Sequence, residues 1–271
     1  MLNFKSYNPK EKLQSILRSM LAGFGRNLGT EKKFPRILCY HGINPVSVNR
    51  WVVDTKNFDK QIAYVKDNCS VVSLKDIVEW LLFNKSLPSR AIAITFDDGF
   101  YDVYKYAYPI MQSHGVSGTV FICPGLVDIE VPVNDDIRKF MTWENIRTLC
   151  EAGWIIGSHS YSHAKLSQIS KEKLRKEIVD SKKIIETHTG HECSLFCYPY
   201  GTPSAISEDV VKLVRNAGYD AGFISVTGPV VKTDDRFQLK RSKILAMDSM
   251  KTFVGAVNGK LDLWSRVEKL H

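Results

Sequence analysis

The chain has 271 residues, 44% apolar and 24% charged, and its 37 Lys and Arg against 29 Asp and Glu give a net charge of +8. These proportions describe a globular chain long enough to bury a large core, and they exclude disordered, collagenous, coiled-coil and small disulfide-stapled classes. No run reaches eighteen apolar residues, so no transmembrane helix is expected.

The first ten residues lack the uninterrupted apolar core of a secretory signal, and a cytoplasmic location is the expectation. Six cysteines form no CxxC pair and mostly sit in apolar runs such as Ile37-Leu38-Cys39-Tyr40, as small buried hydrophobes that suit a reducing compartment. Residues 10–26 predict a helix, because Leu13, Ile16, Leu17, Met20, Leu21 and Phe24 recur at spacings of three and four. Its apolar face has two readings. It packs on the domain or on a second subunit, or it makes a peripheral contact with a membrane surface. Gly23, Gly25 and Gly29 mark a loop behind it, so residues 1–34 read as a helix and linker and 35–271 as the main domain.

From Pro35 short apolar runs alternate with helical patterns. Strands are expected at 36–40, 91–96, 118–122, 154–158, 194–198, 221–225 and 244–247, with a short extended piece at 71–74. Helices are expected at 58–67, 76–83, 104–114, from Thr142, and at 171–188, 204–217 and 253–260. Residues 124–140 read as an irregular acidic loop. Such alternation means parallel α/β topology, and about seven units suggest a barrel rather than an open sheet. In barrels of this kind the chemistry gathers where strands end.

Four strand ends carry unusual polar groups: Tyr40-His41-Gly42, Thr95-Phe96-Asp97-Asp98-Gly99, Gly157-Ser158-His159-Ser160-Tyr161-Ser162-His163 and Tyr198-Pro199-Tyr200-Gly201. Two histidines four apart share one face of a helical turn. With a carboxylate such as Asp98 they suit a divalent ion that keeps an open position for water. A bend at Gly99 brings both carboxylates near one ion and leaves Asp97 to take a proton from water. A backbone N–H in the Tyr200 turn is placed to face a developing oxyanion. His41 is either a site residue or a strand-end cap.

These motifs resemble those of the NodB-like polysaccharide deacetylases, carbohydrate esterase family four, over roughly residues 35–250. T-F-D-D-G at 95–99 is similar to the first family motif and H-S-Y-S-H at 159–163 to the second, in the expected order and each after an apolar strand. The opening L-C-Y-H-G-I is similar to the start of many bacterial members, and Y-P-Y-G resembles one branch of the family. The resemblance implies a distorted (β/α)₇ barrel, Asp97 as catalytic base, and Asp98, His159 and His163 as ligands of one divalent metal ion. Zinc is the expected ion, with nickel, cobalt or manganese as alternatives. It also implies a main-chain N–H of Tyr200 in the oxyanion hole.

The chain departs from the family pattern in three places. Cys197 stands where the third motif begins with an arginine, and Arg241 is the candidate to supply that cation from a later strand. Ile244-Leu245-Ala246-Met247-Asp248 fills the place of the fifth motif without its histidine, which leaves His41 or a metal-held water as the acid. The aspartate–tryptophan fourth motif is not evident. Tyr198, Tyr161 and Arg241 are candidates to contact the sugar, as is Trp143.

The implied function is metal-dependent removal of an N-acyl group, most simply acetyl, from an amino sugar or glycan precursor. Two alternatives stay open: an amidohydrolase acting on a cyclic non-sugar amide, and an inactive glycan-binding or assembly protein. The excess of positive charge fits a nucleotide-linked or lipid-linked substrate. No zinc finger, RNP-like signature or basic-aromatic cluster points to a nucleic acid. The N-terminal helix is the expected surface for any oligomer.

Overall fold

The structure, a computed structural model, describes residues 8–24, 34–133 and 136–268. The loop expected at Gly25 and Gly29 lies outside the described residues, and with it most of the linker. The N-terminal helix runs Pro9–Phe24.

Among the described residues twelve strands follow in chain order: β1 Arg36–Tyr40, β2 Gly42–Asn44, β3 Val52–Asp54, β4 Ser70–Val71, β5 Ala91–Phe96, β6 Thr119–Ile122, β7 Glu130–Val133, β8 Asp136–Lys139, β9 Ile155–Ser158, β10 Leu195–Cys197, β11 Ala221–Phe223 and β12 Ser242–Lys243. The main sheet has the order β11-β10-β9-β6-β5-β1-β12, with β4 also paired to β5, and every pairing in it is parallel. The sheet curls until its edges meet through one stretch of chain. Leu239 bridges to Phe223 of β11, donating to the Gly222 carbonyl and accepting from the Ile224 N–H. The Arg241 N–H then donates to the Val226 carbonyl at 3.1 Å. Immediately afterwards Ser242 and Lys243 of β12 face Leu38 and Cys39 of β1. The result is the distorted (β/α)₇ barrel that the sequence implied.

Both faces of the central strands are covered. All six residues of β5 and all five of β1 are buried, which is why they read as unbroken apolar runs. Side chains alternate between two packed layers. Ile37, Ala93, Phe121, Leu195 and Phe223 form one cluster with Leu74, Ile77 and Val78 of the helix Leu74–Phe83. Leu38, Ile94, Val120, Ile122 and Phe196 belong to the other cluster, shared with the outer helices. Helix starts are fixed by side-chain caps: Asp54 accepts from the Asn57 N–H, Ser249 from Thr252, and Thr142 forms a capping box with Asn145.

Three expectations are corrected. Residues 124–140 are not irregular throughout, because β7 and β8 pair as an antiparallel hairpin. The seventh strand lies at 242–243 rather than 244–247. Pairing with β1 ends when the Ile244 N–H reaches the Cys39 carbonyl, and the Asp248 carboxylate then takes the Leu245 N–H and turns the chain. The helix expected at 171–188 is interrupted by a π turn at Lys176–Asp180.

Gly157 sits where β9 crosses the inner layer. A Cβ there would lie 2.4 Å from Cδ1 of Phe121 and 3.0 Å from the Leu195 carbonyl oxygen. Gly157→Ala is expected to destabilise the fold by about 1–3 kcal/mol, read from the urea midpoint at constant slope. An unchanged midpoint would show that the inner layer is looser than these contacts imply.

Candidate active site

The C-terminal ends of β1, β5, β9 and β10 open into one cavity of about 640 Å³. His41, Asp97, Asp98, His159, His163 and Tyr200 all line it.

Neighbouring aspartates at the end of β5 take different partners. Asp97 continues the strand, with its N–H donating to the Tyr40 carbonyl, and its carboxylate is buried. Arg241 donates to it from both ends of the guanidinium, Nη1 to Oδ1 at 2.7 Å and Nη2 to Oδ2 at 2.8 Å. The thiols of Cys39 and Cys197 lie 3.4 and 3.6 Å from Oδ2. Burial alone would raise the Asp97 carboxyl, but the charge and hydrogen bonds of Arg241 override it and hold the group below the usual carboxylate range. Burial also keeps both thiols protonated, so they donate to the carboxylate.

Asp98 adopts a left-handed backbone, φ 73°, and Gly99 follows at φ 80°. The bend therefore begins one residue earlier than the sequence suggested, and it sends Asp98 away from Arg241. Its Oδ1 stands 3.4 Å from Nε2 of His159 and 3.4 Å from Nε2 of His163.

The two histidines do not share a helical turn as expected. They lie in a loop with left-handed residues at Ser160, φ 63°, and His163, φ 60°. Other groups brace that loop. The His159 N–H donates to the Ile122 carbonyl, and the N–H and hydroxyl of Ser162 both donate to Glu177 in the π turn. His159 Nδ1 lies 2.8 Å from the Cys197 carbonyl oxygen. A carbonyl only accepts, so Nδ1 carries a proton and Nε2 is the ring nitrogen that faces Asp98.

This donor set fits a divalent ion. Asp98 Oδ1 is buried with no hydrogen-bond partner, and two imidazole nitrogens face it. Ligands held at about 2.0–2.1 Å in tetrahedral geometry stand roughly 3.3–3.4 Å apart, close to the separations seen here. Asp98, His159 and His163 are thus the residues that would hold the ion.

The remaining expected residues fall in different places. Tyr200 is 55% exposed at the cavity edge, at φ 64°, with its ring against His163. Gly201 must stay small, since a Cβ there would lie 2.6 Å from the Ser225 nitrogen. His41 lines the cavity beside Trp51, and its buried Nδ1 has no partner. Burial lowers its pKa, against the opposing charges of Asp98 and Asp97.

The sugar-contact expectations are corrected or narrowed. Arg241 is completely buried, with its donors committed to Asp97, Thr95, Cys197 and the Ile224 carbonyl, so it holds the Asp97 carboxylate and does not reach a sugar. Tyr161 does not line the cavity; it packs on Gly125 with Lys176 over its ring. Trp143 likewise stacks on His188 instead. Tyr198 borders the cavity but is almost wholly buried.

Sequence reasoning missed Trp51 and Arg138, which also line the cavity. Arg138 comes from the β7–β8 hairpin, lies over the Phe100 ring at 3.9 Å and donates to Asp102 at 2.7 Å. Neither stands in a motif or a periodic segment, and the only available signal was an aromatic and a cation within loop sequence.

Comparison with known proteins agrees with this geometry. The family model for polysaccharide deacetylase matches residues 84–222. The poly-β-1,6-N-acetyl-D-glucosamine N-deacetylase of Staphylococcus aureus (strain MRSA252) is 26% identical over 228 residues, covering 80% of this chain and 75% of the relative. The deacetylase PplD of Streptococcus pyogenes superposes with a TM-score of 0.74 at 22% identity, over 83% of this chain and 99% of that one. IcaB from Ammonifex degensii superposes with a TM-score of 0.69 at 21% identity, over 86% and 97%. With motif residues, barrel and family match in agreement, the chain belongs to the polysaccharide deacetylase family.

Proposed function

We propose that the protein is a metal-dependent N-deacetylase acting on an N-acetylated amino-sugar glycan, with zinc as the ion. The observation that carries this reading is the convergence of Asp98, His159 and His163 on one point beside a base already charged by Arg241. The name of the Staphylococcus aureus relative supports a β-1,6-linked N-acetylglucosamine glycan as the first substrate to test.

The ion, when bound, supplies Lewis acidity that polarises the acyl carbonyl and eases deprotonation of water. Asp97 accepts the proton of the attacking water. Its Oδ1 is the receiving atom, since it takes a hydrogen bond only from Nη1 of Arg241 while Oδ2 faces Arg241 and two thiols. The Tyr200 N–H donates to the oxyanion. His41 delivers a proton to the amine as the C–N bond breaks, and the products are acetate and a free amino sugar.

Chelation is expected to abolish acetate release, and zinc to restore it. Full turnover in a preparation shown to be metal-free would refute the mechanism. Asp97→Asn and His41→Gln should each retain the metal and lose about 10²–10⁴-fold in turnover. Metal content by mass spectrometry and acetate release from an N-acetylglucosamine oligomer check both. Wild-type turnover in either variant removes that residue from its role.

A further inference from the structure

The N-terminal helix Pro9–Phe24 has two sides in different surroundings. One side is built into the domain. Arg18 is buried and donates from Nε and Nη2 to Asp248 at 3.0 and 2.7 Å. Ala22 packs so closely on Gly255 that a Cβ added to the glycine would lie 2.6 Å from that of Ala22. The opposite side carries Leu13, Ile16, Leu17 and Met20, exposed by 56, 53, 42 and 55%. At about 100° per residue these four form one stripe facing away from Arg18 and Ala22, with Lys10 along one margin and Lys12 along the other. Both lysines are exposed and enter no ion pair among the described residues.

A helix on a globular domain ordinarily turns its apolar stripe inward. An outward stripe edged by lysines matches a helix lying in the plane of a lipid interface. Size separates this from self-association. A helix of 16 residues is about 24 Å long, and a stripe about 10 Å wide offers roughly 240 Å². A stable protein interface needs about 800 Å² per partner.

We propose that this stripe seats the protein on a bilayer surface rich in anionic headgroups. The helix also reaches a residue next to the cavity wall. Glu11 and Gln14 meet Arg50, whose neighbours Asn49 and Trp51 line that cavity.

The test is co-sedimentation of the full 271-residue chain, metal-loaded, with vesicles of phosphatidylcholine alone or with phosphatidylglycerol added. Binding is expected to be at least about tenfold tighter with phosphatidylglycerol, and Lys10→Glu with Lys12→Glu to remove that preference. The combined Leu13→Ser, Ile16→Ser, Leu17→Ser and Met20→Ser variant is expected to lose vesicle binding about a hundredfold or more while keeping its thermal midpoint. Wild-type protein that ignores both vesicles overturns the proposal, as does equal binding by the serine variant. A wild-type dimer in sedimentation equilibrium that the serine variant dissolves assigns the stripe to a second copy instead. The binding readout does not depend on turnover, so it stands whether or not the deacetylase reading does.

Discussion

Two adjacent carboxylates at one buried strand end would repel each other and lose hydration at heavy cost if left together. The bend at Asp98 separates them. Asp97 stays in line with β5 and is neutralised by Arg241, while the left-handed turn at Asp98 swings the second carboxylate toward two imidazoles. One charge is thereby held by a guanidinium and the other left facing two imidazoles, and the base and metal-ligand roles proposed above rest on that division.

Distant parts of the chain maintain it. Arg241 belongs to the stretch that closes the barrel between β11 and β1, so closure and the pairing of Asp97 are one structural event. The Cys197 carbonyl at the end of β10 sets the His159 tautomer, and Glu177, carried by a π turn, anchors the loop that brings His163 round. The proposed metal ligands and base thus draw on several strands, which a barrel gathers at one end.

Much of this was legible in the sequence because it was local. The buried strands showed as unbroken apolar runs, and the Asp97-Asp98 and His159–His163 motifs are contiguous. What escaped depended on tertiary contacts. The true end of β12 is set by the Asp248 turn, not by the apolar run at 244–247. The left-handed backbone at Ser160 and His163 replaced an expected helical turn, because bracing from Glu177 outweighs local preference. Arg138 reaches the cavity from the β7–β8 hairpin and Trp51 from a turn, with no period in either segment to betray them. The substitution of Cys197 for the usual arginine was visible, as was Arg241 as the candidate cation; the fold places that guanidinium on Asp97 and beside Cys197.

The most direct measurement is the anomalous scattering of a crystal grown with zinc. The account predicts a single strong peak about 2.0–2.2 Å from Asp98 Oδ1, His159 Nε2 and His163 Nε2, with Asp97 outside the coordination sphere and still paired to Arg241. A peak held by other residues, or an Asp97 that leaves Arg241 to ligate the ion, would contradict it.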